Sequence, residues 1–230
     1  MNDWFLTGAD PYEVWPLIRD HHYSRRMPGN IQHCYVVRGK GGLFGNHGDP
    51  LAAAVFSIPP TRWSEEIIEL TRLVRLPTLL VPLSHLIAFS CSRLKQQNWA
   101  LVVSFADQQQ GHHGGIYQAS GWLYDGRRDR RMDGIIINGV FKPGRSCNSQ
   151  WGTQSPEKLR QILPNHTIEP HYDDGKHLYW KALSIAGRTR ARRLGLKASP
   201  YPKPNAARPV DDPLPRGASD VQPVGAAPIS

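Results

Sequence analysis

The stretch FADQQQGHHGGIYQASGW, residues 105–122, combines residue types that can carry acid–base chemistry. The Tyr117 hydroxyl can donate a proton or a hydrogen bond to a developing anion. Asp107 ends a run of apolar residues, and the sites of sheet proteins commonly lie at strand ends of this kind. Two structural alternatives stay open: Tyr117 packs in the core beneath Trp122, and Asp107 caps the glycine-rich helix that follows.

Histidine side chains in two segments raise the question of a metal site. His21, His22, His112 and His113, together with Asp107, offer nitrogen and oxygen ligands for a divalent ion such as iron. Their spacing adds little support, because no H-x-E or H-x-D facial-triad pattern is present. Side-chain chemistry alone thus allows a divalent ion such as iron as a cofactor, with His22, Asp107 and His112 as its candidate ligands.

The elements that position these residues follow from hydrophobic periodicity. PYEVWPLIRDHHY predicts a short amphipathic helix that breaks at Pro28 and Gly29. IQHCYVVRG alternates as a strand does, and a glycine-rich turn separates it from LAAAVFSIP. LVPLSHLIAFSCSRLKQQN has helical apolar spacing, WALVVSFAD is typical of a buried strand, and GGIYQASGW predicts a short helix that returns to WLYDG.

The segment EIIELTRLVRLP predicts a further strand, whose side chains alternate between two faces. The predicted assignment is Glu69, Thr71 and Leu73 on one face and Leu70, Arg72 and Val74 on the other. With the neighbouring elements, the order of strands and helices indicates an α/β fold built on a mixed sheet.

Length and composition indicate the domain organisation. The 230 residues and 40% hydrophobic content fit one packed domain. From Ser199 onward the chain holds eight of its 20 prolines and almost no large apolar side chain, so this segment cannot offset the entropy of ordering. We predict a folded domain at 1–197 and a disordered, proline-rich tail at 198–230, whose YPKP segment can still dock on the domain.

Charge and cysteine content bear on partners and compartment. A net charge of +9 favours a polyanionic partner, because each phosphate neutralised by Lys or Arg releases counterions; the alternative is a merely basic soluble protein. No apolar run spans a bilayer and no signal-peptide pattern is present, so a cytoplasmic protein without a membrane partner is expected. Cys34, Cys91 and Cys147 match no disulfide or zinc pattern, and reduced thiols are expected.

The segment IYQASGW resembles the Y-x-x-x-G-(F/W) ending of the GNAT superfamily of N-acetyltransferases. The resemblance implies a mixed, mostly antiparallel sheet flanked by helices, in which Tyr117 serves as general acid toward the leaving group. One departure matters: the (Q/R)-x-x-G-x-(G/A) loop that holds the coenzyme A pyrophosphate in these enzymes is replaced by RLPTLLVPLSHL, which has no glycine. Standard acetyl-CoA binding is therefore not implied.

Four segments together resemble the Mom family of phage DNA-modification proteins: HHYSRRMP, ELTRLVRLP, SFADQQQGHHGGIYQASGWLYDG and YPKP. The resemblance covers most of residues 12–204. It implies an enzyme that adds a carbamoylmethyl-type (acetamido) group to the exocyclic N6 amine of adenine in double-stranded DNA, which protects phage DNA from restriction in the infected bacterial cell. The donor of that group is not identified by the resemblance.

Carried over by position, the resemblance implies eight functional side chains: His22, Tyr23, Ser24, Arg72, Ser84, Asp107, Tyr117 and Tyr124. Adenine N6 is a weak nucleophile, so a base must remove a proton as the new bond forms, and Asp107 can be that base or can hold the amine. Arg72 lies on a strand where an uncompensated guanidinium would be costly. It can pair with Glu69 or Asp107, or bind a phosphate or a donor carboxylate.

An enzyme acting on N6 in a duplex has to flip the base into a pocket. Candidate stacking surfaces are Tyr23, Trp63 and Trp151, each of which can instead belong to the core. Ten arginines of the basic segments are candidate phosphate contacts, with a solvated surface as the alternative. They are Arg25, Arg26, Arg127, Arg128, Arg130, Arg131, Arg188, Arg190, Arg192 and Arg193.

Two other functions compete with DNA modification. The first is a conventional acyl-CoA-dependent N-acyltransferase for a small amine or a protein. The second is a non-catalytic DNA-binding protein on a transferase scaffold, which the polar cluster of His22, Asp107 and Tyr117 opposes only if these residues converge in space.

Overall fold

Two β-sheets organise the part of the chain that the computed structural model describes, residues 4–40, 48–59, 63, 66–77, 83–107, 114–129, 131–173 and 175–202. The elements follow in chain order: β1 (Trp4–Ala9), α1 (Pro11–His21), β2 (Ile31–Gly39), β3 (Pro50–Ser57), β4 (Ile67–Arg75), α2 (Leu83–Gln96), β5 (Leu101–Asp107), α3 (Gly115–Ala119), β6 (Leu123–Arg127), β7 (Met132–Ile137), β8 (Val140–Pro143), α4 (Gly144–Trp151), α5 (Pro156–Ile162), β9 (Ile168–Tyr172), β10 (Lys176–Ala182) and α6 (Ile185–Arg193).

The larger sheet has seven strands in the order β1-β2-β3-β4-β5-β10-β6. Its neighbours pair antiparallel except β4 and β5, which are parallel. The parallel pair needs a crossover, and α2 supplies it. The predicted α/β class, with a mixed and mostly antiparallel sheet flanked by helices, is confirmed.

The parallel strands β4 and β5 separate along their length. Their pairing runs from Ile67 opposite Leu101 to Glu69 opposite Val103 and goes no further. At the next residue, the Ser104 hydroxyl donates to the carbonyl oxygen of Leu70 at 2.8 Å. A side chain thus replaces the backbone ladder, and the sheet opens beyond this point.

A β-bulge in β4 changes the face on which Leu70 lies. Val55 of β3 pairs with Arg72 and Phe56 pairs with Leu70, so Thr71 has no opposite residue. An extra residue of this kind shifts the alternation by one position. Leu70 and Leu73 consequently pack in the same core cluster, and the predicted placement of these two leucines on opposite faces is wrong.

Helices cover both faces of the large sheet. On one face, α2 and α3 pack on residues such as Phe56 and Val102. On the other face, α1 packs on β2 and β3, while Ala191 of α6 packs on Trp180 and its neighbours. Burial of each large apolar side chain in these layers contributes about 2 kcal/mol, which fixes the strands that carry the polar residues.

Helix α1 begins where the sequence predicts and ends two residues earlier. The Asp10 side chain accepts from the Tyr12 N–H at 2.9 Å, and the Glu13 side chain accepts from the Asp10 N–H at 2.8 Å, forming a capping box. The preceding strand β1 was not predicted. It pairs along the edge of β2, from Trp4 to Ala9.

A smaller sheet, in the order β8-β7-β9, follows β6 and was not predicted. Asn138 and Gly139 connect β7 to β8, and both have positive φ, as a two-residue hairpin turn requires. Helices α4 and α5 pack on this sheet around the buried residues Ile135 and Leu159. This unit precedes β10, which returns to the large sheet and lies between β5 and β6.

The segment after α6 lies on the large sheet. The Ser199 N–H donates to the Tyr124 carbonyl at 2.7 Å, and the Tyr201 hydroxyl donates to the Trp122 carbonyl. The predicted boundary at residue 197 therefore precedes residues that are still bonded to the large sheet. These attached residues include Tyr201 and Pro202, the first two residues of the YPKP segment. Residues 203–230 lie outside the described residues.

All three cysteines are buried and free, as the reduced thiols predicted from the sequence would be. Among the helices that the structure describes, none has the length and apolar character needed to cross a membrane.

Candidate functional site

A cavity of about 290 Å³ lies where β4 and β5 separate. Four of the predicted site residues line it: His22, Tyr23, Asp107 and Tyr117. They come from the end of α1, the end of β5 and the helix α3, segments that are far apart in the sequence. The other lining residues are Leu70, Thr71, Leu73, Leu83, Ser104, Phe105, Ala106, Gly114, Gly115 and Ile116.

The Tyr117 hydroxyl lies 2.8 Å from the Oγ of Ser104. Because the single Ser104 hydroxyl proton is donated to Leu70, the Tyr117 hydroxyl is the donor in this contact. Burial raises the pKa of Tyr117 to about 12. Tyr117 therefore keeps its proton at neutral pH and suits a hydrogen-bond or proton donor rather than a phenolate nucleophile.

Tyr117 is also a core residue. Its ring stacks on Tyr179 with centroids 4.8 Å apart and packs against Trp122 at 5.2 Å. The structural alternative from the sequence is thus correct for the ring. Tyr117 also lines the cavity between the strands, so the same residue belongs to the core and to the candidate site.

Gly114 is the N-cap residue of helix α3 and has φ of +78°. The alternative that Asp107 caps the glycine-rich segment stays a prediction, because residues 108–113 lie outside the described residues. A Cβ at residue 114 would overlap the Tyr179 hydroxyl, so only glycine lets the backbone approach this ring. That close approach brings Tyr117 onto the end of β5.

His22 is held in one orientation at the end of α1. The Ser24 N–H donates to the His22 Nδ1 at 3.1 Å, and the Ser24 hydroxyl lies 2.9 Å from the same nitrogen. A backbone N–H can only donate, so Nδ1 is unprotonated and the ring proton of the neutral form is on Nε2. Ser24 thus positions His22 without lining the cavity itself.

The predicted metal ligands are only partly brought together. His22 and Asp107 share the cavity, His21 is exposed, and His112 and His113 lie outside the described residues. A metal on Nε2 of His22 would move the proton to Nδ1, against the Ser24 N–H. His22 does not fit a ligand role in this arrangement, and within the described segments no group of three or more metal-ligating side chains occurs. Iron stays a prediction.

Tyr23 lies at the mouth of the cavity, half exposed, with its ring centroid 4.4 Å from that of His22. Burial raises the pKa of Tyr23, the Asp107 carboxylate raises it further, and the Arg72 guanidinium opposes both. These effects place Asp107 and Arg72 within electrostatic reach of the Tyr23 hydroxyl.

Arg72 ties the segment after α1 to β4. Its Nε donates to the Arg26 carbonyl at 3.0 Å, and its Nη1 donates to the Thr71 carbonyl at 2.7 Å. Burial lowers the pKa of Arg72. Its hydrogen bonds go to carbonyl oxygens rather than to the predicted carboxylates of Glu69 or Asp107. Among the described residues, no hydrogen-bonded carboxylate therefore neutralises the positive charge of this guanidinium near the cavity.

Several predicted residues lie away from the cavity. Ser84 is in the first turn of α2, but only its neighbour Leu83 lines the opening. The Tyr124 hydroxyl lies 2.6 Å from Nδ1 of His177, between β6 and β10. Trp63 packs against Phe105, with centroids 6.1 Å apart. Of the three stacking candidates, Tyr23 is the one on the cavity.

Trp151 is the last residue of α4 and packs beside the smaller sheet, where the Lys142 ammonium lies 4.8 Å from its ring centroid. The predicted phosphate contacts are exposed in part and paired in part. Arg128 forms an ion pair with Asp125 at 2.9 Å, and Arg190 forms one with Glu66 at 3.0 Å. Exposed members of the predicted set are Arg25, Arg26, Arg127, Arg131, Arg188, Arg192 and Arg193, whereas Arg130 lies outside the described residues.

Two residues near the split were not predicted as functional. Ser104 is the only polar side chain between Leu101 and Ala106, and this isolated polar residue in an apolar run could have indicated a functional position. Glu69 has an Oε2 that is buried without a hydrogen-bond partner among the described residues. Burial raises the pKa of Glu69 to about 7, although Lys176 and Arg72 act in the opposite direction.

The fold and cavity define a mixed α/β protein in which acid–base side chains meet at a split between two parallel strands. The chain belongs to the Mom protein family, whose family model matches residues 4–203. The family resemblance seen in the sequence is thereby confirmed.

Solved structures to which this chain is similar include acetyltransferases. The ribosomal-protein-S18-alanine N-acetyltransferase of Escherichia coli is 7% identical, with a TM-score of 0.45 over 79% of this chain and 95% of that chain. An N-acetyltransferase of Staphylococcus aureus Mu50 is 11% identical, with a TM-score of 0.46 over 80% of this chain and 100% of that chain. An acetyltransferase of Bacillus subtilis in complex with CoA is 11% identical, with a TM-score of 0.43 over 79% of this chain and 98% of that chain. No match was found among curated proteins.

Proposed function

We propose that this protein is a transferase that adds a carbamoylmethyl-type group to N6 of adenine in double-stranded DNA, in the cytoplasm of an infected bacterial cell. The observation that carries the proposal is the convergence of Asp107, Tyr117, His22 and Tyr23 on one cavity. Membership of the Mom family supports the choice of DNA as the substrate.

The cavity residues suit the two proton movements of such a transfer. The N6 nitrogen forms a bond to the methylene carbon of a carbamoylmethyl donor, whose bond to its leaving group breaks with the electron pair on that group. Asp107 accepts the N6 proton and Tyr117 donates a proton to the leaving group. The reaction is then balanced, because the proton on Asp107 returns through solvent to Tyr117.

The position of Tyr23 supports entry of a flipped base. A duplex buries N6 in base pairing, so the adenine has to leave the stack before reaction. Tyr23 presents a half-exposed ring at the mouth, and His22 packs behind it. Stacking of the adenine on Tyr23 would direct N6 toward the end of β5, where Asp107 lies.

The first test is nucleoside mass spectrometry on total DNA from bacteria that express the chain. A heavier adenosine is expected with the intact protein and with Asp20→Asn, an exposed carboxylate on α1. It is expected to disappear with Asp107→Asn. Full product yield from Asp107→Asn would remove Asp107 from the reaction, and unmodified DNA in cells with ample soluble intact protein would contradict the proposed function.

The two competing functions give different results. A non-catalytic DNA-binding protein has no reason to gather Asp107, Tyr117 and His22 on one cavity, so the convergence argues against it. For a conventional acyltransferase, tight binding of coenzyme A without binding of DNA is the expected result. Binding assays with coenzyme A and with duplex DNA separate the two.

A further inference from the structure

A groove of about 580 Å³ lies at the other end of β10 from the cavity. Its charged lining residues are Lys95, Lys181, Arg188 and Arg192, and no carboxylate is among its lining residues. We call these four residues with their surroundings the basic groove. Four cations around one concave surface create a positive potential that favours a polyanion.

Three elements hold these cations in place. Lys95 lies in the last turn of α2, and Lys181 lies on β10, where its ammonium donates to the Ser120 carbonyl at 2.6 Å. Arg188 and Arg192 are four residues apart on α6 and so share one face of that helix. The basic groove is therefore formed by packed elements rather than by a loop.

The start of α6 adds to the attraction for anions. Ser184 caps the helix by accepting from the Gly187 N–H at 3.1 Å, and Ile185 in the first turn is 76% exposed. Both residues line the basic groove. A helix N-terminus carries a partial positive charge, which acts here in the same direction as the four side chains.

The strand register gives the spacing between the basic groove and the cavity. Lys176 pairs with Asp107, and Lys181 pairs with Val102 at the other end of the same ladder. Five residue steps of about 3.4 Å separate the two positions by roughly 17 Å. Successive base pairs rise by about 3.4 Å, so this separation corresponds to roughly five base pairs.

We propose that the basic groove binds the sugar–phosphate backbone of duplex DNA about five base pairs from the adenine that enters the cavity. This inference rests on the proposed function for the position of the adenine. It adds Lys95 and Lys181 to the DNA contacts and separates the arginines of α6 into two groups. Arg188 and Arg192 contact phosphate, whereas Arg190 is held by Glu66 and Arg193 lies outside the groove.

Adjacent arginines provide a matched test. Arg192→Gln and Arg193→Gln each remove one charge from the same helix, and only Arg192 lines the basic groove. Binding of a labelled duplex of about 20 base pairs is measured by fluorescence anisotropy at several salt concentrations. Loss of one phosphate contact reduces the slope of log K against log salt by about 0.9, so this change is expected for Arg192→Gln and not for Arg193→Gln.

The second part of the test varies the length of the duplex. On a duplex that ends roughly three base pairs from the target adenine on each side, the backbone does not reach the basic groove, and Arg192→Gln and the intact protein should bind equally. Equal slopes for the two variants on the long duplex, or a persistent Arg192→Gln defect on the short one, would overturn the inference. Nucleoside mass spectrometry of the intact protein's product tests the proposed function separately, so modified DNA with equal slopes would reject only the basic groove.

Discussion

The hydroxyl of Tyr117 donates to Ser104, which donates in turn to the Leu70 carbonyl at the point where β4 and β5 part. The proposed proton donor is therefore bonded to the same side chain that replaces the strand ladder. Opening of the sheet and placement of the donor depend on one pair of hydrogen bonds.

Removal of this donor should stop modification without loss of DNA binding. Tyr117→Phe keeps the ring stacked on Tyr179 but removes the proton, and a loss of rate of about 100-fold or more is expected. Ser104→Ala should give a smaller loss, because the phenol loses its acceptor but keeps its proton. Modified adenosine is measured by mass spectrometry, and DNA retention by gel mobility.

Tyr35→Phe is the control for these variants. Tyr35 is also buried, and its hydroxyl donates to Gln97 at 3.1 Å, but it does not line the cavity. Its product yield should match that of the intact protein. If Tyr117→Phe also matched it, the hydroxyl of Tyr117 would have no part in the reaction.

Glu69 should make stability depend on pH. Its pKa is raised from 4.5 to about 7 by burial, so the folded protein holds a proton that the unfolded chain releases between these values. The free energy of unfolding therefore falls as pH rises through this window, by on the order of 3 kcal/mol. Glu69→Gln lacks the ionisation and should be the more stable protein at pH 8, with the difference shrinking toward pH 4.5.

Urea denaturation of Glu69→Gln and of Glu169→Gln across this pH range checks the effect. Glu169 is exposed on β9, so its variant should follow the intact protein at each pH. A Glu69→Gln curve that runs parallel to that of the intact protein would show that the buried carboxyl does not titrate in this window.

Gly114→Ala should destabilise the protein far more than Gly139→Ala. Both glycines have nearly the same positive φ, +78° and +79°, which costs an alanine about 1 kcal/mol. Only at residue 114 does the new Cβ overlap the buried Tyr179 ring, which raises the expected loss to about 3 kcal/mol. Urea midpoints measure the loss of stability in both variants. Equal midpoints would mean that the overlap with Tyr179 does not contribute to the loss at residue 114.

Two truncations should separate the attached segment from the rest of the C-terminal region. A chain that stops after Lys197 loses the Ser199 pairing and the Tyr201 hydrogen bond to Trp122. At about 1 kcal/mol for each, its melting temperature should fall by about 5 °C. A chain that stops after Pro202 keeps both contacts and should melt with the full-length protein. Equal melting of the two truncated chains would show that residues 198–202 add no stability.

Local features were readable from the sequence because their interactions join near neighbours. The start of α1 follows from Asp10 and Glu13, which form a capping box within four residues, and from Pro11 at the first helical position. The apolar run before Asp107 indicated a buried strand, and β5 is that strand. Family resemblance further selected His22, Tyr23, Asp107 and Tyr117, all of which line the cavity.

Only the tertiary structure decided which of the predicted residues meet. The bulge at Thr71 depends on the register between β3 and β4, and a shift of one residue turns Leu70 to the other face. The split between β4 and β5, and the bond from Tyr117 to Ser104, join segments that local preferences cannot bring together. Ser84 and Tyr124 lie away from the cavity for the same reason. Pairing and packing between distant segments, rather than sequence spacing, determine the position of a side chain in the fold.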